Sequence, residues 1–147
     1  MMIDAKHFDS LRSMYLNANV NTQIYDSTEC KIEKGRAEIS LVVSEKYFHA
    51  LNAIHGSVYF KLLDDSAYFA VHSMVDDFFL LTTSFNTNIT RPVDNGKITA
   101  IGSLRHQSKN LFFAESTLYN QEGKEIAFGS GHFTKSKIAL SKNIGYK

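Results

Sequence analysis

The chain predicts an α+β fold in which one antiparallel sheet wraps around a single long buried helix. Three observations carry this. The elements run in the order helix, two strands, long helix, four strands; a doubly wound parallel sheet would need strands alternating with helices. The second helix is apolar over most of its surface. The last four strands are separated by short turn-like segments, the mark of antiparallel neighbours joined as a meander.

Taken in order, Phe8, Leu11, Tyr15 and Leu16 recur at helical spacing within residues 4–17. Asp4 is placed to cap that helix, and Asn17-Ala18-Asn19 to end it. From Thr22 the period changes, and Ile24, Tyr25, Cys30 and Ile32 suggest one strand with a bulge or bend before a turn at Lys34-Gly35. Ala37, Ile39, Leu41 and Val43 then alternate with polar neighbours, as in a half-buried strand. Residues 44–54 follow neither period and read as a loop. Residues 57–75 hold no Pro or Gly and reach about five helical turns. Phe78 to Thr90 reads as a strand ending at Arg91-Pro92, the only proline. Asp94-Asn95-Gly96 is a turn, and strands are expected over 98–105, 111–119 and 125–134. The 147 residues are thus expected to form one domain: an N-terminal helix at 4–17, a core over about 22–134 and a polar C-terminal tail.

Composition narrows the function classes. Hydrophobic residues make up 44% and charged residues 21%, ordinary for a globular protein. A net charge of +1 with dispersed basic residues argues against a nucleic-acid binder driven by phosphate neutralisation. A single cysteine, Cys30, excludes an internal disulfide and a thiolate zinc cluster. No apolar run reaches bilayer length and the N-terminus lacks a signal-peptide core, so a cytoplasmic, membrane-free location is expected.

The long helix holds one ordered polar stripe. At roughly 100° per residue, Ser57, Lys61, Asp64, Asp65, Tyr68 and His72 share one arc. Either this is a solvated face with Lys61 paired to Asp64 or Asp65, or it faces a cleft or partner subunit. Gly56 stands at the helix start, where an unpaired N–H and the positive end of the helix dipole can hold an oxyanion. An acid on the stripe can serve as base or nucleophile; spacing alone does not choose between Asp64 and Asp65. Eight residues of helix separate Gly56 from Asp64, about 12 Å, too far for both to act on one carbonyl. If they serve one site they come from two chains, with two copies of the helix antiparallel about a two-fold axis.

These residues resemble the hotdog-fold acyl-CoA thioesterases, the PaaI-like (phenylacetate-type) branch above all. The match is carried by His55-Gly56-Ser57 with Asp64 nine residues after the histidine, and by Thr82-Thr83-Ser84-Phe85 running to Arg91-Pro92. The run Glu122-Gly123-Lys124-Glu125-Ile126-Ala127-Phe128-Gly129-Ser130-Gly131-His132-Phe133 completes it, and the resemblance spans about residues 35–134. It implies hydrolysis of an acyl-CoA thioester with no metal or other cofactor, coenzyme A being part of the substrate. It agrees with the obligate homodimer that the Gly56–Asp64 spacing asks for, and leaves open whether two dimers pair into a homotetramer. Gly56 N–H would polarise the carbonyl, and Asp64 of the partner chain, chosen over Asp65 by the resemblance, would act as base or nucleophile. Thr82 would help position the water. Ser57 and Tyr68 would line the substrate, and Arg91, Lys109 and Asn110 would meet the CoA phosphates.

The pattern also departs from the family. The family asparagine six residues before the histidine falls on His49, a family glycine on Asn52, and the second glycine of the His-Gly-Gly on Ser57. His49 can donate to the carbonyl or add a titrating group, and Asn52 tolerates a left-handed turn. His49 and His55 keep open a hydratase or dehydratase of the same fold acting on enoyl or 3-hydroxyacyl thioesters. The altered positions also suit a non-catalytic acyl-CoA-binding module.

Overall fold

A computed structural model describes residues 5–147. The elements are α1 (Ala5–Leu16), β1 (Glu29–Glu33), β2 (Arg36–Val42), α2 (Gly56–His72), β3 (Phe78–Ile89), β4 (Lys97–Gln107), β5 (Phe112–Tyr119) and β6 (Glu125–Ala139). The strands form one six-stranded sheet in the order β1-β2-β4-β5-β6-β3, every pairing antiparallel. The α2 helix packs across the concave centre of that sheet, against β2, β4, β5 and β6. This is the architecture expected from the element order. The expected Asp4 cap lies outside the described residues.

Burial follows the period of each element. On β2, Ala37, Ile39 and Leu41 turn inward, and on β5 Phe112, Ala114, Ser116 and Leu118 do the same. Ala37, Ile39, Leu41 and Leu118 share one core with the apolar flank of α2 (Val58, Leu62, Leu63, Phe69), closed at its side by Leu11, Met14 and Tyr15 of α1, while Phe112 and Ala114 join a second cluster with Val71, Leu80 and Phe133. The helix lies close to the sheet at Gly102 and Ser116, register partners on β4 and β5. A Cβ on Gly102 would collide with the Ser66 carbonyl oxygen. Beside it the Ser116 hydroxyl donates to the Leu63 carbonyl at 2.8 Å. Gly129 and Gly131 serve another contact: the Phe85 ring from β3 occupies the space their side chains would fill.

Three expectations need correction. Residues 22–33 are not one bulged strand. A π-helical turn, Val20–Ile24, follows α1, and β1 begins only at Glu29. Polar side chains compete for the backbone here: Asn21 Nδ2 donates to the Tyr15 carbonyl at 2.8 Å and the Thr28 hydroxyl to the Tyr25 carbonyl at 2.6 Å. The long helix stops at His72 rather than residue 75, where the Ser73 hydroxyl donates back to Ala70 and accepts from Gly35 N–H. Finally, β6 runs on to Ala139 and the residues after it are no polar tail. Leu140, Ile144 and Tyr146 pack on the core, with a left-handed Gly145 (φ 86°) turning the chain between them.

The helix–sheet contact yields a stability prediction. Gly102→Ala forces the Ser66 backbone away from the sheet and is expected to cost about 2–3 kcal/mol, read as a lower midpoint in urea unfolding. An unchanged midpoint would contradict the close approach.

Candidate active site

The polar stripe of α2 does open on a cleft. It is a space of about 1110 Å³, bounded by α2, α1 with the π-helical turn, the start of β3 and the C-terminal segment. Asp64, Thr82, Ser57 and Tyr68 all line it, together with Lys61 and Asp65. Of the stripe residues, His72 alone turns away. It is fully buried, and its Nδ1–H donates to the Val75 carbonyl at 3.0 Å. Burial pushes its pKa down to about 4, so the ring is neutral at physiological pH.

Two adjacent aspartates on this stripe have different surroundings. Asp65 is neutralised locally: Lys61 Nζ, one turn before it, donates at 2.7 Å and the Tyr15 hydroxyl of α1 at 2.6 Å. The same ammonium donates to the Tyr15 oxygen at 3.1 Å and lies over the rings of Tyr15 and Tyr25. Among the described residues Asp64 forms no salt bridge. Its Oδ1 accepts the Thr82 hydroxyl at 2.9 Å. Burial, and then the negative charge of Asp65, push its pKa up to about 7, against the opposing pull of Thr82 and of Lys61. A carboxylate titrating near neutrality is fit for proton transfer at physiological pH.

The helix start faces elsewhere. Gly56 lines a second, smaller depression of about 320 Å³ with His49, Ile54, Ile89 and Arg91. As the first residue of α2, its N–H is among the four that find no acceptor within the helix. A side chain there would stand 3.4 Å from Ile89 Cδ1. His55 caps the helix: its Nδ1 accepts the Ser57 N–H at 3.1 Å and lies 2.9 Å from the Ser57 hydroxyl. His49 Nδ1 accepts the Leu51 N–H at 3.1 Å, which ties that ring to its own loop. Asn52, where the family carries glycine, is the one described non-glycine residue in the left-handed region (φ 59°). The Tyr59 hydroxyl fastens the strand end above the depression by donating to the Arg91 carbonyl at 2.7 Å.

Within one chain, then, Asp64, Thr82, Ser57 and Tyr68 share one cleft, and Gly56, His49 and Arg91 share another. Lys109 and Asn110 border neither. They lie in the exposed β4–β5 turn, where the Asn110 carbonyl accepts the Thr134 hydroxyl at 3.0 Å. The residues that sequence reasoning missed are Tyr15 and Tyr25, which hold Lys61 and so separate Asp65 from Asp64. Among the described residues, no group of three or more His, Cys, Asp or Glu side chains could hold a metal ion. None of the described helices is long and apolar enough to cross a membrane.

Exchange of charge for a neutral group tests this electrostatic picture. Between about pH 4 and pH 7 the folded chain retains a proton on Asp64 that the unfolded chain has released, so Asp64 lowers stability as pH rises through that window. Asp64→Asn is therefore expected to unfold about 5 °C higher than wild type at pH 8.5, with the gap closing toward pH 4 in thermal scans. Equal midpoints at both pH values would mean that Asp64 is not a strained carboxylate.

Known proteins agree with the fold. The sequence matches the thioesterase superfamily over residues 51–127, a span that includes α2, β3, β4 and β5. The Escherichia coli PaaI protein of the phenylacetic acid degradation operon superposes with a TM-score of 0.83 at 19% identity, covering 95% of this chain and all of that one. The Haemophilus influenzae thioesterase HI1161 superposes at 0.74 with 18% identity, covering 86% and 88% of the two chains. A Saccharolobus solfataricus protein that carries the name of a candidate esterase is 20% identical over 131 residues, 88% of this chain and 94% of its own. With the sheet, the central helix and the superfamily match in agreement, the chain belongs to the thioesterase superfamily: it is a hotdog-fold thioester hydrolase.

Proposed function

We propose that the protein hydrolyses acyl-CoA thioesters as a homodimer, each active site combining Asp64 and Thr82 of one chain with Gly56 of the other. The observation that carries this is the division of labour along α2. The acid and the backbone donor lie eight residues apart on one helix, about 12 Å, and open on different cavities. Neither cavity alone holds both a base and an oxyanion donor. Apolar surface near the two openings suits a partner: Phe60 on α2 and Leu81 and Ile89 on the edge strand β3 are all about half exposed.

In this reading the thioester carbonyl lies against the partner's Gly56 N–H. Asp64, ionised and oriented by Thr82, takes a proton from water as the water oxygen attacks the carbonyl carbon. The carbonyl π electrons move to oxygen, and the oxyanion is held by the amide and the positive end of the helix. Collapse re-forms the carbonyl and expels the CoA thiolate, which takes up the proton from Asp64. Direct attack by the Asp64 carboxylate would instead give a mixed anhydride that water then opens. A pKa near 7 leaves about half of Asp64 ionised at neutral pH, the state that either role requires. Arg91, exposed at the rim of the Gly56 depression, is placed to meet a CoA phosphate.

Mixed dimers test the shared site. Gly56→Pro removes the N–H at a position where proline is tolerated, and His55 before it is already extended (φ −63°, ψ 148°). Homodimers of Gly56→Pro and of Asp64→Asn are each expected to lose activity by about 100-fold or more. Coexpressed heterodimers, isolated with two affinity tags, are expected to recover about half the wild-type thiol release per dimer, since one of their two sites is then intact. No recovery would place both groups in one chain's site. In wild type, kcat/KM is expected to rise with pH through a midpoint near 7.

A further inference from the structure

We propose that the two ends of the chain, clasped together through His7 and Tyr146, form the stop that sets how long an acyl group the cleft accepts. This rests on the reading of the Asp64 cleft as the acyl site. Its far wall is built from α1 and the π-helical turn on one side (Met14, Val20) and the C-terminal segment on the other (Ile138, Ile144, Gly145). These two pieces meet. A Cβ on Gly145 would stand 3.4 Å from the Met14 Cα. His7 Nε2–H donates to the His72 carbonyl at 2.8 Å, which leaves Nδ1 to accept the Tyr146 hydroxyl at 2.7 Å. One imidazole thus pins both chain ends to the end of α2.

The location decides what the wall does. Asp64 lies five residues before Phe69, about 7.5 Å along the helix axis. The Phe69 ring is met edge-on by Tyr15 at 4.7 Å, one residue from Met14. An acyl chain held with its carbonyl beside Asp64 and directed along α2 therefore reaches the clasped ends after a medium length. Both pieces lie outside residues 51–127, the span shared with the superfamily.

Two variants test it with acetyl-, butyryl-, hexanoyl-, octanoyl-, dodecanoyl- and palmitoyl-CoA, read as thiol release. Tyr146→Phe removes the hydroxyl from the clasp and is expected to raise kcat/KM for dodecanoyl- relative to hexanoyl-CoA at least fivefold. Val20→Trp, at a half-exposed position on the cleft wall, is expected to lower octanoyl- relative to butyryl-CoA about tenfold. A wall with only a structural role would scale all substrates alike, so unchanged ratios in both variants overturn the proposal. Binding of S-butyl- to S-dodecyl-CoA thioethers, followed by calorimetry, separates this inference from the catalytic reading. Length-dependent binding that shifts in the variants, without thiol release from any substrate, would sustain the stop and sink the hydrolase assignment. Thiol release with unshifted ratios would do the reverse, and neither release nor binding would remove both.

Discussion

The contact on which the rest of the molecule depends is the seat of α2 on the sheet. Gly102 removes a side chain where the helix backbone presses closest, and the Ser116 hydroxyl holds the Leu63 carbonyl beside it. Together they fix both the depth and the rotation of the helix. Leu63 faces the sheet, so its neighbour Asp64 is turned to the cleft side, toward Thr82 on β3. The same rotation leaves Gly56, two turns earlier, looking out at the opposite cavity. A helix seated half an ångström higher would loosen every one of these relations, because packed interiors deform little.

Given that seat, the chemistry of the cleft is a matter of which charges find partners. Lys61 and the Tyr15 hydroxyl both donate to Asp65, and the Tyr15 and Tyr25 rings hold the Lys61 ammonium. Asp64 receives one hydroxyl only. Desolvation then dominates and the proton is held until near neutrality. Two identical side chains, adjacent in sequence, thereby acquire different chemistry from a helix and a turn far away in the chain. The neutralised Asp65 still contributes, since its charge adds to the burial that raises Asp64.

Much of this was legible in the sequence, for definite physical reasons. Alternation on β2, unbroken apolar length in α2 and the Asp94-Asn95-Gly96 turn are local signals, and they sufficed for the order of elements and the antiparallel sheet. The stripe on α2 and the spacing of Gly56 from Asp64 follow from helix geometry alone. Choosing Asp64 over Asp65 needed the family resemblance, because the distinction lies in Tyr15, fifty residues earlier, reaching across to one carboxylate. The π-helical turn escaped because Asn21 bonds the backbone of α1 rather than following a period. The tail escaped because Ile138, Leu140, Ile144 and Tyr146 are spaced among lysines and serines with no clean repeat. Charge and polarity single out Lys109 and Asn110, and neither property says which way a hairpin turn faces.

The bond between His7 and Tyr146 joins residues 139 apart in sequence. Closing so long a loop costs chain entropy that no local contact offsets in advance. It can therefore form only after the sheet and helix have brought the two ends to the same corner. The far wall of the cleft is thus held by residues that only the finished sheet and helix bring together, so the shape of the cavity depends on the whole of the described fold.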